Sequence, residues 1–232
     1  RGTYGLDLYR DSPVPYYTAA EDWHATAITG IVAARSGDGY GIAGVAPGAS
    51  VSVYKIYGSP DDLTPPVLSG GYDPAVTGIR AATSDGTDVI LLPWGGQDPS
   101  LALRSAISNS GVPVVVAAGK DGVDLCDSDT PLERYPAMLR LSNLVTVTAS
   151  DRGDGRWADA QGVANVGLRH VDLAAPGDRI LAPYAGQEHR YHGGTSFAAP
   201  QVAGALALAL SVAPRADAAR LVAELSRTAR PV

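Results

Sequence analysis

Two hydrophobic rhythms alternate along the middle of the chain. DVILLPW (88–94) and VPVVVAAG (112–119) are short, almost unbroken apolar runs bounded by Gly, Pro and Asp. Such runs read as strands buried on both faces. VSVYKIY (51–57), NLVTVTAS (143–150) and VDLAAPGDRILAPY (171–184) extend the strand set. DPAVTGIRAATSDG (73–86) and DPSLALRSAISNSG (98–111) read as helices. Each opens with Asp then Pro, suited to the cap and the first helical position, and closes on Gly. Strands and helices alternating at these lengths predict an α/β fold. It is a three-layer sandwich with a mainly parallel central sheet and right-handed crossovers, in one domain over residues 1–232. Two helices follow the strands. The segment from 196 to about 211 contains GALALAL and is apolar all round, so it is expected to run through the interior. RADAARLVAELSRTA (215–229) is amphipathic and belongs on the surface.

Composition narrows the function classes. Hydrophobic residues make up 45% of the 232, enough for a substantial core. A net charge of −6 argues against a nucleic-acid partner. No unbroken run of membrane-spanning length occurs, so no membrane partner is expected. The chain opens on Arg1 without a signal-like segment and reads as a processed form. Cys126 is the one cysteine, which excludes an internal disulfide and a cysteine-cluster metal site. His170, His189 and His192 lack metal spacing and read as loop histidines, with His192 near enough to residue 196 to be a candidate lining group. DLCDSDT (124–130) has alternating carboxylates but not EF-hand spacing. No cofactor or metal is therefore expected, with a structural calcium as the alternative. GYGIAG (39–44) matches a dinucleotide fingerprint but follows a helix-like segment and precedes Pro47-Gly48, so no helix receives the phosphates.

Ligands of open α/β sheets bind beyond the carboxyl ends of the strands. Three segments meet that criterion or feed it: HATAITGIVAA (24–34), read as a helix with His24 in its first turn, VVVAAGKDG (114–122), and GGTSFAAPQVAG (193–204). A serine at a helix N-terminus sits among unpaired N–H groups that favour developing negative charge. Pro200 leaves the Ser196 carbonyl without its intrahelical donor. The plainer reading is that Thr195-Ser196 caps the helix.

Together these stretches resemble the subtilisin-like serine peptidases, the subtilases. GGTSFAAPQVAG is similar to the family's G-T-S-x-A-x-P-x-V-A-G nucleophile motif, and HATAITGIVAA to its H-G-T-x-V-A-G-I histidine motif. GIAGVAPGASVSVYKIYG, VVVAAGKDG and VDLAAPGDRI match further family segments in the right order. The resemblance implies a subtilisin-like fold and peptide-bond hydrolysis through an acyl-enzyme, with Ser196 as nucleophile and His24 as general base and then acid. It implies a peptide or protein substrate and favours a secreted or cell-envelope location. Lys120, Gly119, Thr195, Pro93, Trp94 and Gly95 fall at its oxyanion and substrate-binding positions.

The chain departs from the pattern at several places. Lys120 stands where the family has an oxyanion Asn, and only Lys55 and Lys120 among the 18 basic residues are lysines. Lys120 is either a substitute donor or a mark of lost activity, and a salt bridge to Asp121 or Asp124 is a further option. Ala25 replaces a glycine of the histidine motif, and PWGG (93–96) replaces S-x-G-G. For the triad carboxylate, Asp11 in Asp11-Ser12-Pro13 is the nearest match. Asp7 is another candidate, and Asp22 reads as a helix cap. Alternatively LDLYRDSPVPYYTA follows the position of the Asp-bearing strand, and that N-terminal part of the domain is missing. A propeptide, or a strand from another segment or chain, would then complete the sheet. Two functions stay open: an active endopeptidase, or an impaired subtilase-fold module that binds peptides or proteins.

Overall fold

The computed structural model describes residues 4–8, 10, 12–16, 19–58, 73–97, 99–126 and 134–231. At its centre β3 (Ile90–Leu92), β4 (Val114–Ala117), β5 (Leu144–Ser150) and β8 (Leu173–Pro176) form a parallel sheet in the order β3-β4-β5-β8. β4 and β5 are buried along their whole length, as their unbroken apolar runs require. Side chains of a strand alternate between faces, and β4 divides accordingly. Val114 and Val116 pack with Ile79 of α2 (Asp73–Ser84) and with Leu103 and Ile107 of α3 (Leu101–Asn109). Val115 and Ala117 pack with Ala199 and Leu206 of α4 (Thr195–Val212) and with Val222 of α5 (Ala218–Thr228). The result is the expected helix–sheet–helix sandwich.

Around it, α1 (Ala19–Ala33) lies against α4 and against β9 (Ile180–Pro183), which pairs antiparallel with β10 (His189–His192). β6 (Ala158–Asp159) and β7 (Gly162–Val163) make a short antiparallel pair. β1 (Tyr4–Asp7) and β2 (Ser52–Lys55) form a separate parallel ribbon.

Several expectations are corrected. α1 begins at Ala19, so His24 lies in its second turn rather than its first. α3 is capped by Ser100, whose side chain accepts from the Leu103 N–H at 3.1 Å, instead of opening at Asp98, which is outside the described residues. The strand at 51–57 shortens to β2 and pairs with β1 rather than with the central sheet. α4 is buried only through its first two thirds: Leu208 is 46% and Val212 85% exposed. By length and apolarity alone α4 matches a membrane span, but half of it is buried against the sheet and α1 in the manner of a core helix.

Candidate active site

Gly194, at φ +121°, turns the chain into α4 and serves as its cap without a side-chain hydrogen bond. Neither Thr195 nor Ser196 caps the helix. Thr195 is 3% exposed, and its Oγ1 accepts the Gly119 N–H at 3.1 Å, which ties α4 to the loop after β4. Ser196 Oγ donates to the Pro93 carbonyl, just beyond β3, at 3.0 Å. Pro93, Gly119, Thr195 and Ser196 thus converge over the carboxyl ends of β3 and β4, where a parallel sheet gathers its ligands.

His24 reaches this rim from α1. Its ring meets Phe197, the residue after Ser196, edge-on at 5.6 Å, and Trp23 at 5.5 Å. Burial, and secondarily the charges of His192 and Lys120, push the His24 imidazole down from 6.5 to about 4. The ring is therefore neutral near pH 7, as a base must be, but weakly basic. The Ser196 hydroxyl is turned to Pro93 rather than to this ring.

Lys120 is exposed at the tip of a firmly held loop. Gly119 has φ +93°, and a Cβ there would lie 2.6 Å from Asn165 Nδ2. Asn165 is fully buried. Its Oδ1 accepts from the Asp121 and Val123 N–H groups at 2.9 and 3.2 Å, and its Nδ2 donates to the Ala118 carbonyl at 2.9 Å. Asp121 also pairs with Arg134 at 2.6 Å, which holds its carboxyl below the usual range. Asp124 accepts from the Cys126 N–H at 2.8 Å. The suggested salt bridge from Lys120 to Asp121 or Asp124 does not form. If the ammonium serves the site, Lys120→Ala lowers kcat/KM roughly 10²-fold and Lys120→Asn restores it, since a lost oxyanion donor costs about 3 kcal/mol. Equal rates in all three proteins would remove Lys120 from the chemistry.

The acidic candidates fare differently. Asp11 lies outside the described residues. Asp7 ends β1, is 1% exposed, and accepts from the Arg10 N–H at 2.9 Å and Arg10 Nη1 at 3.3 Å. Asp22 lies inside α1 rather than capping it, and takes Lys55 Nζ at 2.7 Å. Neither hydrogen-bonds to His24. Residues 127–130 of the calcium candidate are outside the described set, and among the described residues no three potential ligands cluster.

Trp94 is half-buried against the α2–α3 core, edge-on to Tyr57. Gly95 faces outward, and Gly96 already exchanges two 2.8 Å backbone bonds with Tyr135, so that part of the edge is occupied. His192 is no solvated loop residue. It belongs to β10, stacked between Trp23 at 5.2 Å and Phe197 at 4.8 Å. This aromatic wall and the clasp of Asn165 escaped sequence reading. A lone aromatic or Asn carries no periodic signal, and its partners are distant in sequence.

Residues 8–232 match the sequence model of the "Subtilase family". The chain belongs to that family. Subtilisin DY from Bacillus licheniformis is 34% identical to this subtilase over 216 residues, covering 92% of the chain and 72% of the relative. The major intracellular serine protease of Bacillus subtilis (strain 168) is 35% identical over 190 residues, covering 80% and 54%. The chain spans about half the length of that relative. A cold adapted subtilisin-like serine proteinase has the same fold, with a TM-score of 0.75 over 98% of this chain and 74% of the other at 24% identity.

Proposed function

We propose that this subtilase is a serine endopeptidase that hydrolyses peptide or protein substrates through an acyl-enzyme on Ser196. The observation that carries the reading is the Ser196 hydroxyl at the N-terminus of α4, with a neutral His24 ring on the adjoining helix. In the reaction the hydroxyl turns from Pro93 to His24, which takes its proton as Oγ bonds to the substrate carbonyl carbon. The carbonyl oxygen becomes an oxyanion, met by helix-end N–H groups and by the Lys120 ammonium. The tetrahedral adduct collapses as His24 returns the proton to the leaving nitrogen. Water then repeats the sequence and frees Ser196. The carboxylate that orients His24 is supplied either by Asp11 or by a strand outside residues 1–232. The shaped edge at Pro93, Trp94 and Gly95 bounds the substrate.

A second reading, a peptide- or protein-binding module of impaired activity, is favoured by two features. The Ser196 proton engages Pro93, and neither Asp7 nor Asp22 supports the imidazole. A fluorophosphonate probe separates the two. One-to-one labelling at Ser196, abolished in Ser196→Ala, is the expected result. A chain that stays unlabelled while still binding peptides is the module instead.

A further inference from the structure

Among the described residues the His24 ring is met by other rings and by no hydrogen bond. α1 fixes where the side chain starts but leaves its χ1 and χ2 to the surroundings. Trp23 stands at 88° to the imidazole and Phe197 at 69°, both edge-on, an arrangement that aromatic quadrupoles favour. These two rings come from α1 and α4. Whatever holds them in place decides how the imidazole is aimed.

Both of them lean on His192 of β10. Its plane is tilted 15° from Trp23 and 13° from Phe197, with centroids 5.2 and 4.8 Å away. The four centroids close a quadrilateral in which His24 and His192 are opposite corners. Tyr184 backs it from outside, 5.9 Å from Trp23 and 6.2 Å from His192, and carries the Arg190 guanidinium on its face at 3.8 Å.

We infer that His192 is the positioning residue of His24: it acts through Trp23 and Phe197, fixing both rings against which the imidazole rests and so fixing that imidazole relative to Ser196. The Nε2 of His192 is buried and has no hydrogen-bond partner among the described residues, so stacking rather than hydrogen bonding seats the ring. Burial, and then the Arg190 charge, push its imidazole down from the usual value, which leaves a neutral ring near pH 7. The site thus uses His192 as a flat body, and its orphaned nitrogen is a cost that a phenyl ring would not carry. The charges that bear on His24 are Lys120 beyond β4 and His192 itself, with Arg190 on the same strand as His192. On α1, Asp22 is paired with Lys55 of β2, and neither α4 nor β9 carries an ionisable side chain. The catalytic consequence rests on the peptidase reading, whereas the seating of the ring does not, and the two are tested apart.

In a Ser196→Ala background, the titration of His24 is followed by its imidazole Cε1–H resonance, assigned among the four histidines by its loss in His24→Gln. His192→Phe and His192→Leu are compared there. Both remove the His192 charge and both fill the space, so a difference between them reports the flat ring alone. The His24 pKa in His192→Leu is expected to lie about one unit or more above that in His192→Phe, because the unstacked imidazole turns towards water. With Ser196 restored, His192→Leu should slow fluorophosphonate labelling at pH 7 roughly tenfold or more, and His192→Phe should recover most of that loss. Equal His24 titration in the two variants overturns the inference, since another group would then orient the ring. So does equal labelling of the two variants and a reactive parent. A parent chain that takes no label sinks the peptidase reading instead, and the titration alone then decides the positioning. If His192→Leu is not recovered folded, Trp23→Leu takes its place, with the same rise expected over Trp23→Phe, and no rise overturns the inference.

Discussion

His24→Ala is expected to lower kcat by roughly 10²–10⁴-fold with little change in KM, the range a positioned general base supplies. Labelling of Ser196 by the fluorophosphonate should slow in parallel. The pH dependence identifies the base more sharply. Burial, His192 and Lys120 hold the imidazole near 4, so the acid limb of kcat/KM should fall well below the ordinary histidine value of 6.5. Stability follows with a definite sign. A lowered folded-state pKa means the unfolded chain binds the proton first. The contribution is complete above pH 6.5 and is lost as pH falls towards 4, on the order of 3 kcal/mol in all. His192, whose imidazole burial also pushes down, adds in the same direction. Urea titrations at pH 7 and 4 should show the loss in the parent chain and a smaller one in His24→Ala. An acid limb at 6.5 would mean that a carboxylate faces the ring in the active protein and offsets its burial, and the same loss in the variant would mean that His24 does not occupy this buried position in solution.

Trp157→Ala should cost about 3–5 kcal/mol, the range for emptying a large aromatic site in a core. The indole is fully buried and packs under the turn that leads into α4: a Cβ on Gly193 would lie 2.9 Å from it. Trp157 Nε1 has no hydrogen-bond partner among the described residues, so the ring is held by packing alone. Trp157→Phe should therefore cost much less than the Ala variant, because it removes an unpaired donor while keeping most of the volume. The loss in Ala should reach function through the Gly193–Gly194 turn, slowing Ser196 labelling more than it weakens peptide binding. A midpoint in urea unchanged from the parent, at equal m, would show that the turn does not lean on the indole.

What sequence made legible follows physical lines. β4 and β5 are visible because both faces are covered, which forces unbroken apolar runs. The stop of α2 is visible because Gly86 takes a positive φ of 73° at its end. Convergence of residues 93, 119 and 196 follows from the rule that loops at one end of a parallel sheet meet. Less was readable at residues 4–24. β1 is four residues long, and the pairing of Asp22 with Lys55 joins positions 33 apart that no local pattern links. Trp23, His192 and Phe197 come from three elements, so their stack exists only in the fold. For α4, composition reported apolarity but not which turns the sheet would cover, and Leu208 and Val212 remain in contact with solvent.

The same helix has a consequence for handling the protein. From Thr195 to Val212, 18 residues pass without one ionisable side chain. When the chain unfolds, this stretch reaches water with no local charge to keep copies apart, and the net −6 is carried elsewhere. Self-association is then expected to compete with refolding, which a thermal midpoint that varies with protein concentration and scan rate would reveal.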